Sequence, residues 1–449
     1  MINFLWEKLN GKRLLILGFG KEGQSSIILL SQIMPELYIG IADNNQSVAD
    51  NDLLVNFDRT RLHLGPNYLD SISNYDFILK SPGVSLSNIH ISSDIVVSSQ
   101  TSLFLEFYNS QTIGVTGTKG KSTTSSLIHF LLQKLGKKSI LIGNIGKPAF
   151  DSVTQIDDDT NIVFELSAHQ LEYISYSPHI SILLNIFPEH LDYFGSVYNY
   201  SEAKMNIARY QKANDIIICS NNLINDINFH SKTICFGNND DCAAFYENGM
   251  LNFRENESLK VVSKENVKLL GEHNLLNIMA AVLAIKELGV SVSEMSKYIH
   301  EFKGLPHRLE SIGVYGGIDF YNDSISTVPE STIEAIKTLK SVDTIILGGF
   351  DRGLDYSHLA EYLVASGIRN YIFIGKAGDA IRNELNLLAA KDNGFYSVQD
   401  LEEAFKVIKK ETSKNGVCLL SPAASSYDQF KNFEHRGDLF ADLARAIAK

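Results

Sequence analysis

The stretch Ile113-Gly-Val-Thr-Gly-Thr-Lys-Gly-Lys-Ser-Thr-Thr124 decides the fold of the middle of the chain. It begins as an apolar strand and turns through Gly117 and Gly120. An amphipathic helical pattern then runs from Ser125 to Leu135. Backbone N–H groups in such a turn, together with the N-terminus of the following helix, form a concave binding site for phosphate groups. The stretch therefore predicts a nucleotide-binding α/β domain.

Two side chains of this turn indicate its chemistry. Lys121 is expected to contact the β- and γ-phosphates, and the Ser122 hydroxyl is expected to bind Mg²⁺. The spacing departs from the strict GxxxxGK[ST] pattern, because Val115 stands where the first glycine belongs. The alternative is a strand-to-helix turn whose glycines serve geometry alone. The Lys-Ser pair directly after a strand favours the phosphate loop.

The length and composition describe a globular chain. For 449 residues we expect about three domains of ordinary size. A hydrophobic content of 44% and a mean hydropathy of −0.03 provide enough apolar side chains for several cores. The net charge of −12 argues against nonspecific nucleic-acid binding but not against acidic small ligands in a locally basic pocket.

The cysteines and the N-terminus predict a cytoplasmic protein. The four cysteines have neither a CxxC pair nor zinc-ligand spacing, so we expect scattered thiols in a reducing compartment; they are Cys219, Cys235, Cys242 and Cys418. The first residues lack a basic segment followed by an apolar one, and no apolar run reaches transmembrane length. We expect no membrane insertion.

The first segment carries a dinucleotide-fold pattern. A strand at Arg13–Gly18 leads into Gly18-Phe-Gly-Lys-Glu-Gly23 and a helix over 24–32. A second strand over 37–42 ends at Asp43, twenty residues beyond Gly23. Glycines at the turn and an acid at the end of the next strand are typical of this fold. A further strand over 75–80 runs into Ser81-Pro-Gly83.

The remaining segments alternate strands and helices. Central strands are expected over 139–142, 161–165 and 180–185, with a small β insertion over 235–268 and a helix over 274–288. After a Gly/Pro link at 302–306, strands follow over 343–347, 371–374 and 416–420. We predict an α/β chain with domains at 1–109, 110–304 and 305–449 and mostly parallel sheets.

Three side chains after central strands are candidate site residues. Glu165 ends a strand in the phosphate-loop domain, where a carboxylate is well placed for Mg²⁺, although a capping or solvated glutamate is the alternative. His190 follows the next strand and is equally well explained as a structural histidine. By composition alone, Lys204 is a surface lysine on a helix.

The motifs of the whole chain, in order, resemble those of the Mur ligases of peptidoglycan synthesis. The segments that carry the resemblance are 116–122, 143–146, 165–167, 184–192, 202–206, 271–277, 306–310, 321–324, 347–352 and 420–437. The last run, Leu420-Ser-Pro-Ala-Ala-Ser-Ser-Tyr-Asp-Gln-Phe-Lys-Asn-Phe-Glu-His-Arg-Gly437, is most similar to the branch that adds D-glutamate. The resemblance thus covers essentially the full length.

The resemblance implies an ATP-dependent amide ligase. It would add D-glutamate to UDP-N-acetylmuramoyl-L-alanine in a cytoplasmic step of peptidoglycan synthesis, and so serve cell-wall biogenesis, cell shape and division. ATP would phosphorylate the muramoyl-alanine carboxylate, because a carboxylate is a poor acyl donor and phosphorylation supplies a leaving group. The amine of glutamate would then displace phosphate. The resemblance implies two Mg²⁺ ions, small-molecule substrates and a monomer.

The resemblance also assigns residues. The catalytic set is Lys121, Glu165, His190 and Lys204, and the metal set is Ser122, Glu165, His190 and a carbamylated Lys204. The ATP set is Gly117, Thr118, Lys119, Gly120, Lys121, Ser122, Thr123, Thr124, Asn274, Asn277, Arg308 and Asp323. The UDP-substrate set is Lys21, Glu22, Asp43, Asn44, Ser81, Gly83, Asn144 and His190. The glutamate set is Thr327, Arg352, Ser426 and Phe433.

Three departures from the family pattern bear on substrate choice. Lys119 adds a charge beside the phosphates, where a small polar residue is usual. Ile325 replaces a usual lysine of the D-glutamate branch, and Arg352 stands where lysine is common. The L-glutamate branch therefore stays open. A polyglutamate-adding folate ligase is a second alternative, but it lacks the UDP-binding first domain that this chain is predicted to have. A third alternative is a non-catalytic binding protein, in which loop or metal residues would be replaced; in this chain all of them are present.

Overall fold

The computed structural model describes residues 1–87, 89–226, 228–255, 258–264, 267–269, 271–339, 341–388 and 394–447. The chain folds into two compact units. The first unit comprises Met1–Asn266 and Glu272–His300, and the second comprises Val267–Gly271 and Glu301–Lys449.

The first unit begins with a parallel sheet, which in the described residues has five strands in the order β3-β2-β1-β4-β5. Its strands are β1 (Arg13–Leu17), β2 (Tyr38–Asp43), β3 (Leu62–Leu64), β4 (Phe77–Lys80) and β5 (Val96–Ser98). Its helices are α1 (Ile2–Leu9), α2 (Lys21–Ile33) and α3 (Gln100–Tyr108). The central strand β1 is buried from Leu14 to Leu17, as expected for a strand covered on both faces. The predicted strand–glycine turn–helix–strand–acid pattern is present.

The second sheet of this unit has, over the described residues, nine strands in the order β14-β13-β12-β11-β10-β9-β6-β8-β7. The strands are β6 (Thr112–Thr116), β7 (Ser139–Gly143), β8 (Asn161–Glu165), β9 (Ile180–Leu183), β10 (Ile216–Ser220), β11 (Lys232–Gly237), β12 (Ala244–Glu247), β13 (Met250–Glu255) and β14 (Ser258–Ser263). The helices are α4 (Lys121–Lys134), α5 (Ala168–Leu171), α6 (Leu191–Phe194), α7 (Val197–Arg209), α8 (His273–Lys286) and α9 (Val292–Ile299).

Strand β6 occupies the position in this sheet that decides where ligands bind. It pairs in parallel with β8 on one side and with β9 on the other, so the chain order reverses beside it. Ligands of open α/β sheets bind at the carboxyl ends of the strands at such a point. The loops after β6, β8 and β9 are therefore brought to one edge.

One sequence expectation is met in this sheet and one needs correction. The small β insertion expected over 235–268 is present as β12, β13 and β14, which extend the central sheet with the last two pairings antiparallel; residues 256–257 and 265–266 lie outside the described residues. Cys235 and Cys242 form a disulfide rather than free thiols, because the turn after β11 brings their Cα atoms to 5.0 Å. Cys219 and Cys418 are free and buried.

The second unit has, in its described part, a six-stranded sheet ordered β15-β16-β20-β17-β18-β19. The strands are β15 (Glu310–Tyr315), β16 (Ile318–Asn322), β17 (Thr344–Gly348), β18 (Asn370–Ile374), β19 (Phe395–Val398) and β20 (Val417–Leu420). The helices are α10 (Pro329–Leu339), α11 (Ser357–Ala365), α12 (Gly375–Leu387), α13 (Leu401–Glu411) and α14 (Phe433–Ala446). Only the hairpin β15–β16 is antiparallel among these described strands, and its turn is Gly316-Gly317.

The predicted α/β class with three parallel-rich sheets is confirmed. The domain boundaries at 109/110 and 304/305 stay a prediction. Among the described residues, no helix is both long and apolar enough to cross a membrane.

Candidate active site

The loop after β6 has the backbone geometry of an anion-binding turn. Gly117 and Gly120 have φ values of 155° and 90°, which side-chain-bearing residues rarely adopt. A Cβ on Gly117 would lie 2.9 Å from the Cβ of Leu184, and a Cβ on Gly120 would collide with the Asn277 side chain. Gly120 precedes α4 without a side-chain cap among the described residues, so the first N–H groups of that helix are available to a ligand.

Two lysines converge on a single carbonyl of this loop. The Lys121 Nζ donates to Gly117 O at 2.9 Å and to Thr118 O at 3.0 Å, and the Lys204 Nζ donates to Gly117 O at 2.9 Å. Lys204 is only 1% exposed and lies 4.7 Å from the centroid of the Tyr200 ring. Burial, and then the charge of Lys121, lower the pKa of Lys204 to about 7. Lys204 is thus buried beside the phosphate loop rather than on the surface.

Glu165 lies at the carboxyl end of β8, next to this loop. Its carboxylate is fully buried and accepts hydrogen bonds from Asn144 Nδ2 at 2.7 Å and Ser125 Oγ at 3.5 Å. These two hydrogen bonds fix the orientation of the buried carboxylate. The predicted Mg²⁺ residue and one predicted UDP-substrate residue are therefore in direct contact.

The oxygen-bearing side chains at this edge of the sheet fit the way in which nucleotide-binding enzymes bind Mg²⁺. Glu165, at the end of β8, and the Ser122 hydroxyl, on the first turn of α4, are the oxygen donors that would hold the ion. Within the described chain, there is no group of three or more His, Cys, Asp or Glu side chains that could hold a metal ion. Mg²⁺ is commonly bound through one or two carboxylates, with substrate phosphates and water completing its coordination. These residues fit that arrangement.

His190 follows β9 in an unusual backbone conformation. Its φ of 56° is left-handed, and its ring lies 5.0 Å from that of His169, edge to face. Burial and the neighbouring His190 lower the pKa of His169 to about 4. The Nε2 of His190 is 4.0 Å from Glu189 Oε2. Non-glycine residues with this conformation are uncommon and cluster at functional sites, so His190 stays a candidate site residue.

Lys119 is engaged by a carboxylate. Its Nζ donates to Glu189 Oε1 at 2.8 Å, and its backbone N–H donates to Asn185 Oδ1 at 2.8 Å. The extra charge that the sequence places beside the phosphates is thus offset by Glu189. Asn274 and Asn277, also assigned to ATP, contact each other at 2.9 Å, with Asn277 packed under Gly120.

The predicted UDP residues of the first sheet lie at the carboxyl ends of β1, β2 and β4, where several of them hold the glycine turn. The Asp43 carboxylate accepts the N–H groups of Phe19 at 2.7 Å and Asn45 at 2.8 Å. The Ser81 hydroxyl donates to Gly18 O at 2.8 Å. The exposed members of the set are Lys21, Asn44 and Gly83.

Glu22 faces the central sheet. Its Oε1 accepts from Gln170 Nε2 at 2.8 Å, and its Oε2 is buried with no hydrogen-bond partner in the described chain. Burial raises the pKa of Glu22 to about 7, although Gln170 and the charge of Lys80 oppose the shift.

Sequence reasoning missed one charged group here, Lys80. Its Nζ contacts the hydroxyl of Tyr193 at 3.3 Å and lies 3.8 Å from Glu172 Oε2. Burial lowers the pKa of Lys80 to about 8. The signal available in the sequence was a lysine that ends an otherwise apolar strand.

The second unit contains the remaining predicted residues. The Asp323 carboxylate is buried and accepts from Ser421 Oγ at 2.8 Å and from Leu309 N at 3.1 Å. Burial raises its pKa to about 6. Arg308 is exposed, and its charge opposes that rise. Asp323 therefore also organises loops of its own unit.

Two predicted glutamate residues are in contact. The Arg352 Nη2 donates to Thr327 O at 2.8 Å. Ser426 is 2% exposed, and Phe433 begins α14 with its backbone oxygen accepting from Ser324 Oγ at 2.8 Å. The loop after β20 and the start of α14 thus meet the segment after β16.

Known proteins with similar sequences and folds identify the family of this chain. Residues 115–285 match the model of the Mur ligase middle domain. The chain is 31% identical to UDP-N-acetylmuramoylalanine–D-glutamate ligase from Acetivibrio thermocellus over 99% of both chains. It is 32% identical to the ligase of that name from Desulfitobacterium hafniense, over 97% of this chain and 98% of the relative.

A solved structure of UDP-N-acetylmuramate–alanine ligase from Thermotoga maritima shares the fold. It has a TM-score of 0.56 and 19% identity, over 97% of this chain and 99% of that one. A MurF ligase from the same organism, in complex with ADP, has a TM-score of 0.55 and 19% identity over 85% of this chain and 91% of that one. The chain belongs to the Mur ligase family. Its full-length relatives above carry the name of the D-glutamate-adding enzyme.

Proposed function

We propose that the protein is the ATP-dependent ligase that joins D-glutamate to UDP-N-acetylmuramoylalanine. The observation that carries the proposal is the convergence of the phosphate loop, Lys121, Lys204 and buried Glu165 at one edge of the central sheet. Full-length relatives with this name support the substrate assignment.

The reaction proceeds in two steps, phosphorylation of the substrate carboxylate and displacement of phosphate by the amine. The substrate carboxylate attacks the γ-phosphorus of ATP, which gives an acyl phosphate and ADP. The amine of glutamate then attacks the acyl carbon, and the amide forms as phosphate and a proton leave. Loop N–H groups and Lys121 bind the phosphates and stabilise the negative charge that spreads over the transferred group.

Mg²⁺, when bound, supplies positive charge to the phosphate oxygens. Ser122 and Glu165 would hold one ion, and His190 and Lys204 a second. Asn144 fixes the orientation of the Glu165 carboxylate through its 2.7 Å hydrogen bond. Gly117 and Gly120 give the loop the close backbone approach that phosphates require.

We infer that Lys204 acts as a carbamate. The Lys204 ammonium would first lose a proton, and the neutral amine would then add to CO₂, forming an N–C bond and releasing a second proton. A cation would thus become an anionic oxygen ligand. The support is its position: it is buried beside the phosphate loop, where its amine contacts a backbone carbonyl and an aromatic ring. A buried cation in that environment is costly, and the carbamate gives the site a metal ligand instead.

The rest of the predicted site belongs to the same proposal. Asn274, Asn277, Arg308 and Asp323 bind the remainder of ATP. The UDP moiety is bound by Lys21, Glu22, Asp43, Asn44, Ser81, Gly83, Asn144 and His190. The glutamate subsite comprises Thr327, Arg352, Ser426 and Phe433. We further propose three domains with the predicted boundaries and a monomer working in the cytoplasm.

The acyl phosphate is tested by isotope transfer. UDP-N-acetylmuramoylalanine labelled with ¹⁸O in its carboxylate is converted with ATP, Mg²⁺ and D-glutamate, and the released phosphate is analysed by mass spectrometry. One ¹⁸O atom per phosphate is expected, because the bridging oxygen of the acyl phosphate leaves with phosphorus. Unlabelled phosphate with normal amide formation would contradict this mechanism.

A further inference from the structure

Arg436 is a buried cation whose contacts are all with uncharged groups. It is the fourth residue of α14 and only 3% exposed. Its Nε donates to Ser324 Oγ at 2.9 Å, and its Nη2 donates to Ser324 O at 2.8 Å and Ala424 O at 3.1 Å. Its Nη1 lies 3.4 Å from Ser425 O. These acceptors, among the described residues, are all uncharged, and Asp428 is the carboxylate whose charge favours the charged form of Arg436.

This placement is unfavourable for stability alone. A buried charge matched only by carbonyl and hydroxyl dipoles recovers little of its hydration energy, and well-packed apolar residues often replace such groups without loss. Arg436 also stands in the first turn of α14, the helix end where a cation is disfavoured. Burial lowers the pKa of this guanidinium to about 10, which leaves it charged at neutral pH. Packing is therefore an incomplete account of this residue.

The bonds of Arg436 join three segments that carry the proposed glutamate residues. Ser324 precedes Thr327, and Ala424 and Ser425 precede Ser426. Ser324 Oγ in turn donates a hydrogen bond to Phe433 O at 2.8 Å, and Phe433 is on the same helix as Arg436. One guanidinium thus fixes the relative positions of the backbone at all three segments.

A second observation points to a ligand at this place. The Ser425 Oγ is buried and has no hydrogen-bond partner among the described residues, although its neighbours are engaged. Ser425 O also pairs with Phe350 N at 2.9 Å, which brings the segment before Arg352 to the same loop. Unpaired buried polar groups are uncommon in folded proteins and are often explained by a bound partner.

We propose that Arg436 is a positioning residue for the amino-acid subsite, holding the segments of Thr327, Ser426 and Phe433 in place and making the subsite electropositive toward a dicarboxylic amino acid. This rests on the proposed ligase function. Arg436 acts through these segments and does not itself contact the substrate.

The test separates binding of the amino acid from binding of the other substrates. In Arg436→Lys the charge remains but the planar fork is lost, and in Ser324→Ala the Nε acceptor and the link to Phe433 are removed. For both variants we expect the KM for glutamate to rise about tenfold or more, because each loses part of the hydrogen bonding that holds the three segments together. The KM values for ATP and for UDP-N-acetylmuramoylalanine should stay within about twofold of wild type, as expected for loss of one local interaction.

The matched control is Arg445→Lys, on the same helix. Arg445 is exposed and paired with Asp442 at 3.0 Å, so its variant should leave all three KM values unchanged. An unchanged glutamate KM in both test variants, or an equal rise in all three KM values, would overturn the inference while the ligase function stands. A wild-type protein that turns over no amino acid would overturn both proposals.

Discussion

The carbonyl of Gly117 shows how strongly the site depends on the charges around it. Lys121 and the more deeply buried Lys204 both donate to this one oxygen. Phosphates would draw Lys121 toward themselves, and a carbamate on Lys204 would reverse the sign of its charge. The two lysines therefore have different roles, which substitution can separate.

Lys121→Ala and Lys204→Ala should both lose turnover, by about a thousandfold or more, as for groups that act directly on the transferred phosphoryl. Added short carboxylates such as acetate or formate should restore part of the activity of Lys204→Ala only. An anion can replace the carbamate oxygens, whereas it cannot replace the ammonium of Lys121. Phosphate release measures both variants, and full activity of Lys204→Ala without additives would remove its assigned role.

The buried Glu22 makes the first unit sensitive to pH. Its folded pKa of about 7 lies above the value of 4.5 for a free glutamate. The folded state therefore holds the proton between about pH 4.5 and 7 while the unfolded chain releases it, so stability falls as pH rises through this window. The loss is complete above pH 7 and amounts to about 3 kcal/mol.

Glu22→Gln should remove that pH dependence. The fall in melting temperature from pH 5 to pH 8 should be several degrees smaller in the variant, since about 3 kcal/mol of destabilisation is absent. Trp6, the single tryptophan of the chain, reports unfolding of the first unit by fluorescence. The exposed Glu7 provides the control, Glu7→Gln. Identical falls in wild type and Glu22→Gln would contradict the burial argument.

At the residue scale, the sequence predicted the phosphate-loop side chains because a motif fixes their backbone positions. The sequence did not predict the burial of Lys204, which depends on how α7 packs beside β6. The contact of Glu22 with Gln170 was also not foreseen, because it joins residues 148 positions apart in the sequence.

We expect nucleotide binding to depend on the glycine-rich turn between β6 and α4. Gly120 combines a left-handed φ with close packing against Asn277. Gly136, just after the same helix, has a φ of 70°, but a Cβ added there would meet no atom within 4 Å. Substitution at both positions strains the backbone, but only substitution at Gly120 also produces a steric clash. Comparing the two variants therefore distinguishes the effect of backbone strain from that of the clash.

Gly120→Ala should raise the KM for ATP about tenfold or more, because the added methyl group displaces Asn277 and the turn cannot keep its shape. Gly136→Ala should cost only about 1 kcal/mol of stability, for the left-handed backbone alone. Its KM for ATP should match wild type. Steady-state kinetics and thermal unfolding measure both, and equal KM values in the two variants would contradict the steric account.

Element positions were largely predictable where apolar runs end at glycine or an acid, as at β1, β6 and β8. The strands β12 to β14 lie in the segment predicted as a β insertion, but their place in the central sheet was not predicted. It depends on the hydrogen bonds between β11 and β12 and between β12 and β13, which leave no periodic pattern in the sequence. The disulfide between Cys235 and Cys242 was missed because a spacing of seven residues matches no common motif.

For the whole molecule, alternation of strands and helices predicted three α/β domains in series, and the described residues form three sheets. The compact units number two, and the first unit contains the first two sheets, whose surrounding segments are in side-chain contact. Ser25 Oγ donates to Asp151 Oδ1 at 2.6 Å, and Lys80 contacts Tyr193. Such contacts join distant segments and cannot be deduced from local pattern.

The choice of amino acid also belongs to the whole molecule, because it decides which branch of the family the chain represents. Ile325, in place of a lysine, leaves Arg352 and the buried Arg436 as the cations of the described subsite that favour an anionic amino acid. A guanidinium such as that of Arg352 suits a carboxylate of either enantiomer. We expect D-glutamate to be the one accepted because the full-length relatives carry the name of the D-glutamate-adding enzyme.

The most direct test is phosphate release by the purified protein with ATP, Mg²⁺ and UDP-N-acetylmuramoylalanine, with D-glutamate or L-glutamate added separately. The account predicts release that requires the UDP substrate and D-glutamate together, with little release on L-glutamate. Release on L-glutamate alone would contradict the proposed substrate, and no release with either enantiomer would contradict the proposed ligase activity.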